Sequence, residues 1–354
     1  LTKKQKYAIV AFVVFDNQLV YEREGNVNSK GSYEKQPAWK RIGELSRGSK
    51  FERKEIHSAQ SIIQRDGETF TIHSIENGDD PLLSGVQTLF EKTFGEEEVD
   101  PEEILRSAVE GKTPWGTQED LKYKVFAVTN SDGEVVSTVA GGHLDLKDAD
   151  GKSSEETMFM VAYAVTSPVV KKSGLAREAY ISALQNTVAD ARGKEKKLIM
   201  SAGECTYTSE IFWNRIGWKR VYQEQGTKEK KVYSEVPYIQ AALDFDEKSG
   251  LPTEDAGEAP EHLMVDPFDG RMLTKKHIIS VVEAFYRWCN RWPREAFEND
   301  VAYRRHMRYV DKIFKTFKNF VDSHGEPIML DGAGRDALRK RGMTVKEHSD
   351  ADRG

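Results

Sequence analysis

An α/β (α+β) fold, with a mixed and mostly antiparallel sheet flanked by helices and a C-terminal helical extension, is predicted for this 354-residue chain on three observations. An unbroken apolar run from Met158 to Val165 stops at Thr166-Ser167-Pro168, the mark of a strand bounded by turn residues. The chain then passes through Lys171-Lys172-Ser173-Gly174-Leu175-Ala176 into a stretch where Leu175, Tyr180, Ala183, Leu184 and Val188 recur at helical spacing. Beyond residue 264 the texture changes to long apolar stripes at spacings of three and four, as on one face of a helix.

Element by element, Lys3, Lys4 and Lys6 precede an apolar run, Tyr7 to Phe15, that superficially resembles a secretory signal. Asp16-Asn17-Gln18 then makes a turn and Leu19-Val20-Tyr21 resumes a strand, so a β-hairpin is the better reading. Residues 23 to 66 are weakly patterned. Thr69 to Ile75 alternates as a strand, and Leu82 to Phe94 and Pro101 to Val109 read as helices, the second with proline in its first turn and acids after it. Tyr123 to Thr129 and Glu134 to Ala140 flank Asn130-Ser131-Asp132-Gly133 as a hairpin. After the strand, turn and helix described above come a strand over Leu198 to Gly203, a short helix from Ser209 ended by Gly217, and a strand through Val221.

Residues 245 to 264 carry Gly250, Pro252, Gly257, Pro260 and several acids, a linker composition. Ile278, Val282, Phe285, Cys289 and Trp292 form one stripe, and Tyr303, Met307, Val310, Phe314, Phe317 and Val321 another, with Pro293 between them. The predicted division is an N-terminal hairpin and loop extension (1–66), a sheet domain (67–244), a linker (245–264), a helical hairpin (265–325) and a flexible tail (326–354).

Composition narrows the function. With 38% hydrophobic and 31% charged residues the chain can bury a sizeable core, and its length favours more than one folding unit. A net charge of −6 predicts solubility and names no partner. The two cysteines, Cys205 and Cys289, lie far apart, which fits a reducing compartment and a cytoplasmic location. Nine apolar residues near the start fall far short of the ~20 that span a bilayer, so no membrane association is expected. No metal site is expected either. There is no Cys-x-x-Cys or His-Glu-x-x-His spacing, and around Asp148-Ala149-Asp150-Gly151 the first and last calcium-ligand positions hold Leu146 and Thr157.

The turn from Lys171 to Ala176 is the chemical centre of the sequence. Gly174 and Ala176 let backbone approach a ligand, and the unpaired N–H groups and positive dipole end of the following helix point at it, which suits a pyrophosphate. Taken with Phe212-Trp213-Asn214-Arg215-Ile216-Gly217-Trp218, this segment resembles the two signature segments of the GCN5-related N-acetyltransferase superfamily, over about residues 68 to 240. Those signatures run Gln/Arg-x-x-Gly-x-Gly/Ala and Phe-Tyr-x-x-x-Gly-Phe. Lys171 stands in place of Gln or Arg, and Trp213 in place of the tyrosine that many members use to protonate the departing thiolate. An indole N–H cannot act as that acid.

The resemblance implies the acyl-CoA N-acyltransferase fold and acetyl-CoA as acyl donor. Lys171, Lys172, Ser173, Gly174, Leu175 and Ala176 would hold the pyrophosphate, and Ala164 and Val165 would lend backbone groups to the pantetheine and polarise the thioester. Two candidates stand for the base that deprotonates the acceptor, Glu204 at the end of a strand and His143 at the end of the hairpin strand. With Trp213 in the usual place of the acid, Tyr207 is the nearest substitute. The first reading is therefore acetyl transfer to a primary amine by direct attack through a tetrahedral intermediate.

The second reading belongs to another class. From Arg271 to Phe320 there are twelve Lys or Arg against five Asp or Glu, and Arg304, Arg308, Lys312 and Lys315 share one side of the second helix. This face reads first as a solvated surface. It leaves open a catalytically inactive binding or scaffold module of the same fold that contacts nucleic acid or a protein there, a macromolecular acceptor docked on these helices, or a homodimer contact.

Overall fold

The computed structural model describes residues 60–347, apart from 66, 95–98, 114–115, 118–120, 148–150, 171–172, 207–208, 228–229, 243 and 254–257. The N-terminal hairpin expected over residues 7–21 lies outside the described residues. One sheet of eleven strands organises the chain. Its strands are β1 (Gln60–Arg65), β2 (Glu68–Ile75), β5 (Leu121–Thr129), β6 (Val135–Lys147), β7 (Ser153–Thr166), β8 (Lys197–Cys205), β9 (Lys219–Gly226), β10 (Lys231–Glu235), β13 (His262–Pro267), β14 (Pro327–Leu330) and β15 (Thr344–Lys346). Two small ladders, β3 (Lys112–Thr113) with β4 (Gly116–Thr117) and β11 (Ile239–Gln240) with β12 (Ala259–Pro260), stand apart. The order across the main sheet is β1-β2-β5-β6-β7-β8-β13-β9-β10-β15, with β14 also on β9. Among the described residues only β7 with β8 and β10 with β15 run parallel in it, so the sheet is mixed and mostly antiparallel, as the sequence predicts.

Among the described residues seven α-helices flank it: α1 (Leu82–Phe94), α2 (Glu102–Val109), α3 (Leu175–Gly193), α4 (Glu210–Ile216), α5 (Lys275–Phe285), α6 (Asp300–Ser323) and α7 (Gly332–Lys340). Helices α3 and α4 cover one face, where Tyr180, Leu184 and Trp213 meet Phe126, Phe159 and Val161. On the opposite face α1 and α2 cover Tyr123, Val125 and Tyr163, and α5 and α6 cover Leu144, Met158 and Met160. Strand β7 is thus buried from both sides, which explains its unbroken apolar run. Each such side chain contributes roughly 1.5–3 kcal/mol by leaving water.

Local turn chemistry follows the sequence. Asn130 Oδ1 accepts from the N–H groups of Asp132 and Glu134, and Gly133 takes φ 81°, closing the β5–β6 hairpin. Gly217 ends α4 at φ 111°, a left-handed cap.

Two divisions of the chain need correction. Residues 262–264, placed in the linker, open strand β13, which fills the space between β8 and β9 through Leu263–Glu204 and Met264–Arg220. Both neighbours precede β13 by tens of residues, so no local pattern signals it, and the buried Asp266 masks its apolar character. Residues 327–347 of the expected tail are built into the molecule. Strand β14 pairs with β9 and β15 with β10, and Arg335 of α7 donates to Glu210 at 2.6 Å. The expected helical pair is present as α5 and α6, joined through a π-helical turn at Tyr286–Asn290. It shares one core with the sheet and is not a separate domain.

Candidate active site

Strands β7 and β8 are paired in parallel from Glu156–Lys197 to Met160–Ala202. Both run on, to Thr166 and Cys205, with no further pair between them among the described residues. The rest of β7 stays on β6 as far as Ser137–Thr166, while β8 is held on its other side by β13 through Leu263–Glu204 and His262–Cys205. The two strands therefore part as a wedge. A β-bulge marks its start: Ala140 is opposite Tyr163 and Gly141 opposite Val161, leaving Ala162 as the extra residue of β7. Among the described residues, backbone groups of β7 from there to Thr166, including Ala164 and Val165, have no strand partner on the β8 side. Gly203 permits the close approach at the base of the wedge, because a Cβ there would meet Trp218 Cζ3 at 3.1 Å and Val161 O at 3.3 Å.

Beyond the wedge β7 leads to the turn before α3. Gly174 is the helix N-cap at φ 79° and ψ 8°, a left-handed conformation that glycine adopts without strain, and no side chain caps the helix. A Cβ on Gly174 would meet nothing within 4 Å among the described residues. Ser173 donates its N–H to Val170 O at 3.3 Å, while its hydroxyl is buried with no partner. Among the described residues no side chain caps the first-turn N–H groups of α3 that follow Gly174, at Leu175 and Ala176. Lys171 and Lys172 lie outside the described residues.

The two candidate bases are not brought together. Glu204 sits two residues beyond the last β7–β8 pair, 2% exposed, accepting from the Tyr238 hydroxyl and from Gln240 Nε2 at 2.8 Å. Burial is the main reason its pKa rises to about 8, against the lowering effect of the Tyr238 hydrogen bond. His143 lies on β6, opposite Phe159 and hence below the wedge, with β7 between it and β8. Both its ring nitrogens are buried without partners, and burial followed by the charges of Lys194 and Lys124 pulls its pKa down to about 4. Lys194 follows the last turn of α3, and a helix of 19 residues is about 28 Å long, so His143 stands at the far end of α3 from Gly174. Tyr207 lies outside the described residues.

Trp213 is 1% exposed, packed 4.2 Å from Trp218 and edge-on to Tyr180, with its indole N–H unpartnered. Trp218 donates to the Tyr180 hydroxyl at 2.9 Å, and that hydroxyl also meets Ser201. The indole at 213 is therefore a packing group beside the wedge. Cys205 is buried and its thiol pushed well up by that burial, which leaves it no thiolate character. Sequence reading missed Tyr238 and Gln240, the donors that hold Glu204. The alternation Tyr238-Ile239-Gln240 was their one signal.

On α6 the apolar stripe packs inward through Val310, Phe317 and Val321, while Arg304, Arg308, Lys312 and Lys315 are exposed. Among the described residues no group of three or more His, Cys, Asp or Glu side chains could hold a metal ion. No helix among them is long and apolar enough to cross a membrane.

No family model matches the chain, and no curated protein does. Among solved structures, it is similar to a probable N-acyltransferase from Enterococcus faecalis, at 12% identity over 44% of this chain and 34% of that one, with a TM-score of 0.31. The ribosomal-protein-S18-alanine N-acetyltransferase from Escherichia coli matches at 14% identity over 57% of this chain and 96% of that one, TM-score 0.31. A GNAT-family N-acetyltransferase from Escherichia coli, solved with coenzyme A, matches at 15% identity over 42% and 67%, TM-score 0.29. All three are described as acyltransferases. The chain spans about a third of the length of the first of them.

Proposed function

We propose that this protein is a coenzyme A-dependent N-acyltransferase that moves an acetyl group from acetyl-CoA to a primary amine. The observation that carries the reading is the wedge between β7 and β8 leading to an uncapped helix N-terminus at Gly174. An extended pantetheine arm fits between the parted strands, hydrogen-bonded to β7 around Ala164 and Val165 as a missing strand would be. The pyrophosphate then meets the N–H groups of the first turn of α3 and the unpartnered Ser173 hydroxyl.

Residues of this chain supply three contributions. The β7 backbone beyond the bulge orients the thioester and offers N–H groups to the oxyanion that forms on its carbonyl. Glu204, at the start of the wedge, takes the proton of the attacking amine. Its raised pKa makes it a stronger base than an ordinary carboxylate, and one that is mostly protonated at neutral pH. The departing thiolate of coenzyme A takes its proton from water or from Tyr207, since Trp213 cannot give one.

The test is thermal unfolding of the full chain with and without acetyl-CoA. Ligand at a hundred times its dissociation constant should stabilise by about 2.7 kcal/mol. Gly174→Glu puts negative charge where phosphates sit and should abolish the shift. Gly174→Asn, which tolerates the same left-handed backbone, should keep most of it. A wild-type protein that does not shift at millimolar acetyl-CoA refutes the donor site.

A further inference from the structure

Helix α6 holds six Lys or Arg against three Asp, in a chain whose net charge is −6. The acids are all matched: Asp300 pairs with Arg294, Asp311 with Arg291 at 3.1 Å and Asp322 with Lys318. The other cations, Arg304, Arg305, Arg308, Lys312 and Lys315, are exposed, and among the described residues none of them forms an ion pair. Arg304 adds only its field at Asp300, one turn away. By helical periodicity the five span about 100° of the helix surface over a length of about 16 Å, with Arg305 and Lys312 on one flank, Arg304 and Lys315 on the other and Arg308 between. They lie opposite Val310, Ile313 and Phe317, which are buried against the core.

The chemistry of this face selects its partner. A protein partner is anchored on apolar and aromatic side chains at the centre of the contact. Helix α6 exposes one large apolar side chain, Val301, at its first turn, while Tyr303, Tyr309 and Phe314 pack against the core. Single-stranded nucleic acid is held by bases stacked on exposed rings, and those same rings are turned inward. Duplex phosphates need neither anchor, because charge neutralisation and counterion release are enough for binding without regard to sequence. A helix with its side chains is about 10–12 Å across and the B-form major groove about 12 Å wide, so cations on both flanks of the face reach the phosphate rows on both rims. The A-form groove of duplex RNA is too narrow for this. We propose that the outer face of α6 is a docking surface for duplex DNA, bound through its phosphates without sequence preference. This surface is independent of the acetyl-CoA site.

Fluorescence anisotropy of an end-labelled DNA duplex of about 20 base pairs, titrated with the full chain between about 50 and about 200 mM salt, tests the surface. Five phosphate contacts give a slope of about −4.5 in log affinity against log salt, a loss of about 500-fold over that range. Arg308→Gln combined with Lys312→Gln should reduce the slope by about 2. Lys340→Gln combined with Arg341→Gln, which removes two exposed cations at the C-terminal end of α7, should leave it unchanged. Both variants should melt as the wild type does, since none of the four side chains forms an ion pair among the described residues. No binding at about 50 mM salt overturns the surface. A slope that the α6 variant leaves unchanged, or that the α7 variant lowers equally, does the same. Single-stranded DNA or duplex RNA of equal length that binds as tightly overturns the assignment to duplex DNA, and a polyglutamate peptide that binds as tightly assigns the face to an acidic protein instead.

Discussion

Glu204 shows how one side chain couples stability to chemistry. Its pKa in the folded chain is about 8 against an ordinary 4.5, because burial disfavours the carboxylate. For an acid with a raised folded pKa, the stabilising contribution is fully present below the ordinary value and is lost as pH rises through the folded one. The window here runs from 4.5 to about 8. Glu204→Gln, isosteric and neutral throughout, should therefore gain on the wild type as pH rises from 5 to 8.5, by up to a few kcal/mol in urea unfolding. The same substitution should lower acyl transfer by about a hundredfold or more, and the wild-type rate should climb with pH toward a midpoint near 8. An unchanged rate in the variant removes Glu204 as the base. His143 works in the opposite direction. Its pKa is lowered from 6.5 to about 4, so its contribution is present above 6.5 and lost as pH falls. Sequence could nominate both residues from their places at strand ends, but burial and neighbours separate their roles.

At the scale of elements, the ion-pair network under the C-terminal segment is the feature without a sequence signal. Arg220 on β9 is wholly buried and meets Glu210 of α4, with Glu235 of β10 and Glu347 each at 3.4 Å. Arg335 of α7 reaches Glu210 at 2.6 Å and Glu347 at 3.4 Å. The residues past 326 thus brace the start of α4, the helix that carries Trp213 beside the wedge. Removing one partner leaves a buried charge poorly compensated, so Arg335→Ala should destabilise by about 3 kcal/mol in urea unfolding. A loss below about 0.5 kcal/mol would show the segment to be loosely docked. The strand, turn and helix from Met158 to Val188 were legible beforehand because their signals are local: an apolar run, a small-residue turn, a helical repeat. Strand β13 was not. Its six residues carry an aspartate and end at a proline, and only its partners β8 and β9 make it a strand.

Across the whole molecule the predicted boundaries do not separate folding units. Met158, Met160 and Ala202 of the sheet share one apolar cluster with Val282 and Phe285 of α5 and Phe317 of α6. Deleting residues 265–354 cuts β13 and strips that cluster, so the truncated protein should fail to unfold cooperatively in a thermal melt monitored by circular dichroism. A sharp transition near that of the full chain would restore the two-unit division. The sequence by itself determined the order of the principal elements from β2 to β9, the mixed sheet, the strand–turn–helix from Met158 to Val188 and the exposure of the basic residues on α6, because periodicity and turn chemistry are written within a few residues. Tertiary structure alone decided where β7 and β8 part, that Glu204 and not His143 stands at that opening, and what raises the Glu204 pKa. Those depend on burial and on partners distant in the chain, which no local pattern encodes.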